Sequence, residues 1–152
     1  MNDEDSRPIS GDASLLQKQK SPVTLTGQWN RKTGEIGEKL AARHLERLGY
    51  RHVARNLRMG RMGELDLVSW AEDGRTLCFV EVKTRTSGIY GAPAEAVDFR
   101  KRLRIRKMAE LWLNRCHADS ITPDMPVRFD VVEVLLSREA HTARVHHIPD
   151  AF

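Results

Sequence analysis

Between Gly63 and Arg85 the chain reads GELDLVSWAEDGRTLCFVEVKTR, two apolar runs separated by an Asp-Gly pair. This is the strongest short-range signal for an antiparallel hairpin. Treating Asp73-Gly74 as a two-residue loop sets Glu72 opposite Arg75. Counting back pairs Trp70 with Leu77, Val68 with Phe79, Leu67 with Val80, Asp66 with Glu81 and Glu64 with Lys83. Strand side chains alternate between faces, so Glu64, Asp66, Glu81 and Lys83 are expected on one face. Directly opposed residues have Cβ atoms roughly 4.5–5.5 Å apart, a separation at which two carboxylates destabilise a sheet.

A divalent cation between Asp66 and Glu81 would remove that repulsion; the alternative is a solvated strand end. Val80 and Val82 on one face, with Val68 and Phe79 on the other, predict a strand buried on both sides. A buried acid needs a partner or a metal, which favours a site over a solvated end.

A chain of 152 residues with 40% hydrophobic and 30% charged residues has the composition of one soluble globular domain. No apolar run approaches the roughly 20 residues of a membrane span. The polar, acidic start MNDEDSRPIS is unlike a secretory signal. Cys78 and Cys116 lack metal-ligand spacing and read as reduced cytoplasmic thiols. The net charge is +4. Residues 1–27 carry Asp3, Glu4, Asp5 and Asp12 against Arg7, Lys18 and Lys20, so the basic excess lies in the remainder. That basicity is compatible with a nucleic-acid partner without requiring one. Residues 1–27 lack periodicity and are interrupted by Pro8, Gly11, Pro22 and Gly27, the pattern of a disordered tail before a single domain over 28–152.

The spacing predicts a first helix over Thr33–Leu48, capped by Thr33 and ended by Gly49, with Ala41, Leu45 and Leu48 on its apolar side. Glu38 borders that side, either as a salt-bridged residue or as a third carboxylate beside the hairpin acids. Tyr50–Met59 reads as a strand, and Arg55, Arg58 and Arg61 lead from it into the hairpin. A loop containing Tyr90 follows, then a second helix over Ala94–Cys116 opened by Pro93. Within it RKRLRIRK places six basic residues in eight, either as a phosphate-facing ridge or as a solvated helix face. VRFDVVEVLL reads as a central strand interrupted by Asp130. ARVHHI is a last short strand, whose His146 and His147 face opposite ways. No histidine pair has metal spacing, and there is no Gly-rich phosphate loop or nucleophilic Ser or Cys motif.

The order is helix, three strands, helix, two strands, which predicts a mixed sheet with a helix on each side, an α/β sandwich. An acid on the first helix, Asp66 on the second strand and Glu81-Val-Lys83 on the third resemble the PD-(D/E)xK nuclease superfamily, with its restriction-endonuclease-like three-layer fold. More narrowly, GEIGEKLAARHLERLGY, NLRMGRMGELDLV, FVEVKTR, YGAPAEAV, RFDVV and HHIPDAF resemble the YraN-type bacterial family over about residues 34–152. The chain departs from the superfamily at Leu65, where many members have proline.

The resemblance implies that Asp66 and Glu81 bind metal with Glu38 as the first-helix acid, that Glu64 is a further ligand, and that Lys83 positions or activates water. Hard oxygen donors suit Mg²⁺ or Mn²⁺. The implied activity is metal-dependent phosphodiester hydrolysis in DNA, with branched or repair intermediates as candidate substrates and RNA as the other polymer. Arg58, Arg61, Arg85, Arg100, Arg104 and Lys107 are the candidate phosphate contacts. The competing reading is a nucleic-acid-binding module of the same fold with little or no catalysis. A homodimer or a protein partner is compatible with either.

Overall fold

The computed structural model describes residues 25–86, 97–116, 121–122, 124–137 and 141–152. The elements follow the expected order: α1 (Leu25–Arg47), β1 (Arg51–Arg58), β2 (Glu64–Trp70), β3 (Leu77–Thr86), α2 (Phe99–Arg115), β4 (Val127–Ser137) and β5 (Thr142–Ile148). The strands form one mixed sheet in the order β1-β2-β3-β4-β5. Among the described residues only the β3–β4 pair is parallel, as α2 lies between them in sequence. β3 therefore holds the centre, and β4, expected central, lies one strand from the edge.

The sheet is apolar on both faces. Ala41, Ala42 and Leu45 of α1 pack with Leu67, Cys78, Val80, Val132 and Val134. Ile105, Met108 and Ala109 of α2 pack with Leu65, Val68, Leu77, Phe79, Phe129 and Val131. These two layers separate because alternate residues of β3 and β4 face opposite ways. Burial of this kind pushes the Cys78 thiol up to about 12, so it is an inert core group.

α1 begins at Leu25, before the expected Thr33 cap, so the supposed tail boundary at residue 27 falls inside a helix; residues 1–24 lie outside the described residues. Its end is as expected. Gly49 takes φ +90, with Gly49 N–H donating to Glu46 O and Tyr50 N–H to Leu45 O, both at 3.0 Å. This reversal needs a left-handed residue. It also turns Leu48 outward, leaving that residue exposed rather than in the apolar face.

α2 starts later than expected. Asp98 caps it, its carboxylate accepting from Lys101 N–H at 3.0 Å, while Pro93, Ala94 and Ala96 lie outside the described residues. The hairpin register is as expected from Trp70–Leu77 to Leu67–Val80, but its loop is longer. Ala71 N–H donates to Thr76 O and Gly74 N–H to Ala71 O, so Glu72 and Arg75 belong to a four-residue turn rather than to a strand pair. Asp73 holds the turn by accepting from Arg75 N–H, Thr76 N–H and Thr76 Oγ1.

Polar side chains are also buried inside the fold. His52 joins three elements, with Nε2 3.0 Å from Ala42 O and Nδ1 2.8 Å from Ser69 Oγ. Asp130 is fully buried and accepts from Arg128 Nε at 2.8 Å, His147 Nε2 at 2.9 Å and Asp150 N–H at 3.0 Å. Burial pushes its pKa up, but hydrogen bonds from His147, Arg128 and Asp150 outweigh that and hold it below the usual carboxylate range. The same bonds seat the C-terminal segment, which continues with Ala151 N–H to Phe129 O and the Phe152 ring stacked on Phe129.

Two outcomes follow from this packing. Gly37 of α1 is buried against β3, where an added Cβ would lie 1.8 Å from Thr84 Oγ1. Gly37→Ala should therefore destabilise the fold by about 1–3 kcal/mol in urea unfolding through overpacking. An unchanged midpoint would show that Thr84 yields freely. Asp130→Asn should cost about 3–5 kcal/mol at neutral pH, because it leaves Arg128 uncompensated. Since the folded pKa is depressed, the Asp130 contribution is complete above the unfolded value near 3.9 and is lost as pH falls through the folded value. The gap between parent and variant in urea unfolding should close correspondingly only below about pH 4.

Candidate metal and nucleic-acid site

The acids collect where β2 and β3 part. β2 follows β1 through a tight turn with Gly60 at φ +60 and Gly63 at φ +129, and Met59 N–H donates to Gly63 O at 2.8 Å. Alternation along β2 then breaks at Asp66: Leu65 packs in the α2 layer, Leu67 in the α1 layer and Val68 again in the α2 layer. Asn56, between the partners of Leu65 and Leu67 on β1, has φ +49. The β2–β3 ladder runs only as far as Leu67–Val80. The next N–H of β3 turned toward β2, on Val82, donates to Asp66 Oδ2 at 2.8 Å. The Asp66 side chain thus takes a place in the ladder that a backbone carbonyl would otherwise fill.

That position puts Asp66 among other charges. Its pKa is raised to about 7, first by burial and then by the Glu81 carboxylate, with Glu38 adding to the rise. The Val82 N–H and the Lys101 ammonium act in the other direction. Glu38 comes from α1, where Gly37 allows the helix to approach β3 closely; its carboxylate accepts from Asn56 Nδ2 at 2.6 Å. Glu38 and Asn56 also line a cavity of about 260 Å³ with Glu35, Lys39, Arg55 and Leu67. Glu81 is 6% exposed and receives a hydrogen bond from Lys101 Nζ. Burial lowers the Lys83 pKa; Glu81 opposes this, while Lys101 and Arg85 add to it.

The structure thus gathers Asp66, Glu81, Glu38 and Lys83 into one electrostatic neighbourhood. Glu64 does not join it as expected. The ladder ends before the Glu64–Lys83 pair could form, and Glu64 lies 3.7 Å from Arg58 Nε on β1 instead. Lys83 has Glu133 of β4 as its cross-strand partner.

Of the candidate phosphate contacts, Arg58, Arg61, Arg85, Arg100, Arg104 and Lys107 are all exposed. Arg100, Arg104 and Lys107 follow the i, i+4, i+7 spacing of a single helix face, and Lys107 also pairs with Glu110 at 3.0 Å. The other cations of RKRLRIRK are engaged within the chain, Arg106 while remaining exposed. Lys101 reaches Glu81, Arg102 Nε donates to Val97 O, and the Arg106 guanidinium lies 4.6 Å from the Phe129 ring centroid. Tyr90 lies outside the described residues.

Lys101, Asn56 and Glu133 are the neighbours that reading the hairpin alone leaves out. Lys101 had one visible signal, the Asp98-x-x-Lys101 capping spacing that starts α2 at Phe99 and fixes which cations face inward.

The oxygen donors suit Mg²⁺ or Mn²⁺ in their chemistry, and a cation would offset the charge that Glu81 and Glu38 place beside Asp66. Among the described residues no three such side chains already stand close enough to grip an ion. The donors are instead engaged by Val82 N–H, Asn56 and Lys101. No helix among the described residues is long and apolar enough to cross a membrane.

Residues 37–134 match the model of a family described as "Uncharacterised protein family UPF0102". The chain is 42% identical over 125 residues to a UPF0102 protein of Alkaliphilus oremlandii, covering 81% of this chain and 99% of that one. It is 49% identical over 119 residues to a UPF0102 protein of Nocardia farcinica, covering 78% of this chain and 87% of that one. With a UPF0102 protein of Caldanaerobacter subterraneus it shares 41% identity over 125 residues, 81% of this chain and 97% of the relative. The chain belongs to the UPF0102 family, the YraN-type family that its motifs resemble.

The raised Asp66 pKa has a measurable consequence. The native state holds a proton between the unfolded value near 3.9 and about 7 that the unfolded chain releases, so stability falls as pH rises through that window. Asp66→Asn keeps an acceptor for Val82 N–H and removes the charge. In EDTA at pH 8 it should exceed the parent in urea unfolding by about 1.4 kcal/mol or more, the worth of one pKa unit, and the difference should shrink toward pH 4. A variant much less stable than the parent at pH 8 would mark Asp66 as the satisfied half of an ion pair.

Proposed function

We propose that this protein is a metal-dependent nuclease of restriction-endonuclease-like fold that hydrolyses phosphodiester bonds in DNA. The observation that carries the reading is the placement of Asp66. It sits at a parting in the sheet, in electrostatic reach of Glu81 and Glu38, with Lys83 two residues beyond Glu81 on the same strand. Such crowding of like charges is unfavourable by itself, and a bound cation would offset it. The sheet topology, with α1 and α2 packed in opposite layers, supports the fold assignment.

In this reading Asp66, Glu81 and Glu38 would hold Mg²⁺ or Mn²⁺, with Glu64 no longer in the set. The bound ion would acidify water and offset phosphate charge. Lys83 places a cation beside the reacting phosphate, where a preorganised charge stabilises negative charge as it develops. Desolvation, which lowers its pKa, also strengthens that interaction. Arg100, Arg104 and Lys107 neutralise backbone phosphates further along the polymer, with Arg58, Arg61 and Arg85 as exposed candidates for the flanks. The engagement of Glu81 by Lys101 favours, as a second reading, a nucleic-acid-binding module with little or no catalysis.

The deciding assay is purified protein against linear, nicked, flapped and four-way DNA with Mg²⁺ or Mn²⁺. Cleavage should occur and should fall by two orders of magnitude or more in Asp66→Asn, Glu81→Gln and Lys83→Ala, on the scale typical of lost charge stabilisation. Replacing Arg100, Arg104 and Lys107 together by Ala should weaken binding. It should also flatten the logarithmic salt dependence by about 0.9 for each phosphate that is no longer neutralised. Salt-dependent binding without cleavage on any substrate would select the binding module. Absence of both would remove the nucleic-acid reading.

A further inference from the structure

The geometry points to Lys101 as a built-in placeholder cation: its ammonium occupies the Glu81 carboxylate until a divalent ion displaces it. The inference rests on the metal-dependent reading and concerns how the same site is loaded.

Glu81 and Lys101 lie 20 residues apart in sequence and are joined by Nζ donating to Oε1. The pairing is anchored at both ends. Glu81 lies on the central strand, paired with Val131 of β4, and its side chain is only 6% exposed. Lys101 is held in the first turn of α2 by the Asp98 cap on its own N–H, and the next residue is tied down by Arg102 Nε to Val97 O. The backbone under Lys101 therefore cannot drift. Its side chain differs from that of Glu81 in being 36% exposed, so the ammonium has a route to solvent that the carboxylate lacks. One partner is fixed in the site and the other is free to leave.

A carboxylate buried to this degree is costly without a counter-charge. Lys101 supplies one in the metal-free state. A divalent ion at Glu81 would meet the ammonium at close range, and like charges so close in a partly buried site repel strongly. Lys101 and the ion therefore compete for the same oxygen. The competition protects the apo fold from its own acids and lowers metal affinity. The expelled ammonium would emerge on the helix that carries Arg100, Arg104 and Lys107, the exposed phosphate-facing row.

The test is Mn²⁺ binding by calorimetry and thermal melting in EDTA and in Mn²⁺, on the full chain of the parent, Lys101→Met and Lys101→Gln. The glutamine variant keeps an amide donor for Glu81 without the charge, so it covers the case in which methionine prevents folding. Both variants should melt lower than the parent in EDTA, bind Mn²⁺ at least tenfold more tightly, and gain more in melting temperature from Mn²⁺ than the parent does. A parent that binds Mn²⁺ with variants of equal or weaker affinity would overturn the placeholder role and leave the nuclease reading standing. A bridge that is only structural would produce that result, with the same melting loss in EDTA and in Mn²⁺. No Mn²⁺ binding by parent or variants would overturn the metal-dependent reading, and the placeholder role with it. Binding that appears only in the variants would support the placeholder directly.

Discussion

Asp66 accepting the Val82 N–H ties the sheet to the site. In a regular antiparallel pair that N–H would be answered by backbone, and a buried N–H left unanswered costs as much as a lost hydrogen bond. Here a carboxylate answers it, and two things follow. β2 is released from β3, so Leu65 rolls into the α2 layer while Leu67 stays under α1. The carboxylate is also held between Glu81 from one side of the sheet and Glu38 from the other, although desolvation and charge repulsion both oppose its ionisation. The parting of the strands and the crowding of the acids have one cause.

The rest of the fold supplies what this arrangement lacks. α1 reaches β3 only because Gly37 carries no side chain opposite Thr84, and Glu38 follows directly on that close approach. α2 delivers Lys101 to Glu81 because its cap sets the helix phase. On the α1 face the charged groups are fully answered. Asp130 has Arg128, His147 and the Asp150 N–H, and His52 has Ser69 and Ala42. At the parting of β2 and β3, by contrast, Asp66 makes its hydrogen bond to Val82 N–H yet is held beside the Glu81 and Glu38 carboxylates. A carboxylate whose pKa is raised by burial and by named neighbouring charges is a candidate functional group.

Much of the architecture was legible in local patterns. The element order, the two-sided burial of β3 and the hairpin register follow from alternation and from Asp-Gly, because local chemistry determines a hairpin. The register from Trp70–Leu77 to Leu67–Val80 is unchanged by the longer loop, since one more loop residue on each strand leaves those pairs opposed. The expected Asp66–Glu81 and Glu64–Lys83 pairs lie beyond the end of the ladder. The helix starts were less legible: α1 extends back to Leu25 and α2 forward to Phe99, set by tertiary packing and by the Asp98 cap. Leu48 fell on the apolar stripe of a helical wheel, yet the turn at Gly49 redirects it.

The sequence by itself determined which residues could form an acidic site and that Asp66 and Glu81 would be near each other, because strand pairing depends on residues adjacent in the chain. The tertiary structure alone decided which charges meet them. Glu38 arrives by helix-to-strand packing and Lys101 by the phase of a helix 20 residues away, while Glu133 meets Lys83 by a parallel pairing across a crossover. It also decided that Glu64 turns to Arg58 instead of Lys83. A pattern of period two carries the order of a strand, whereas the break of that pattern at Asp66 depends on the elements packed above and below it.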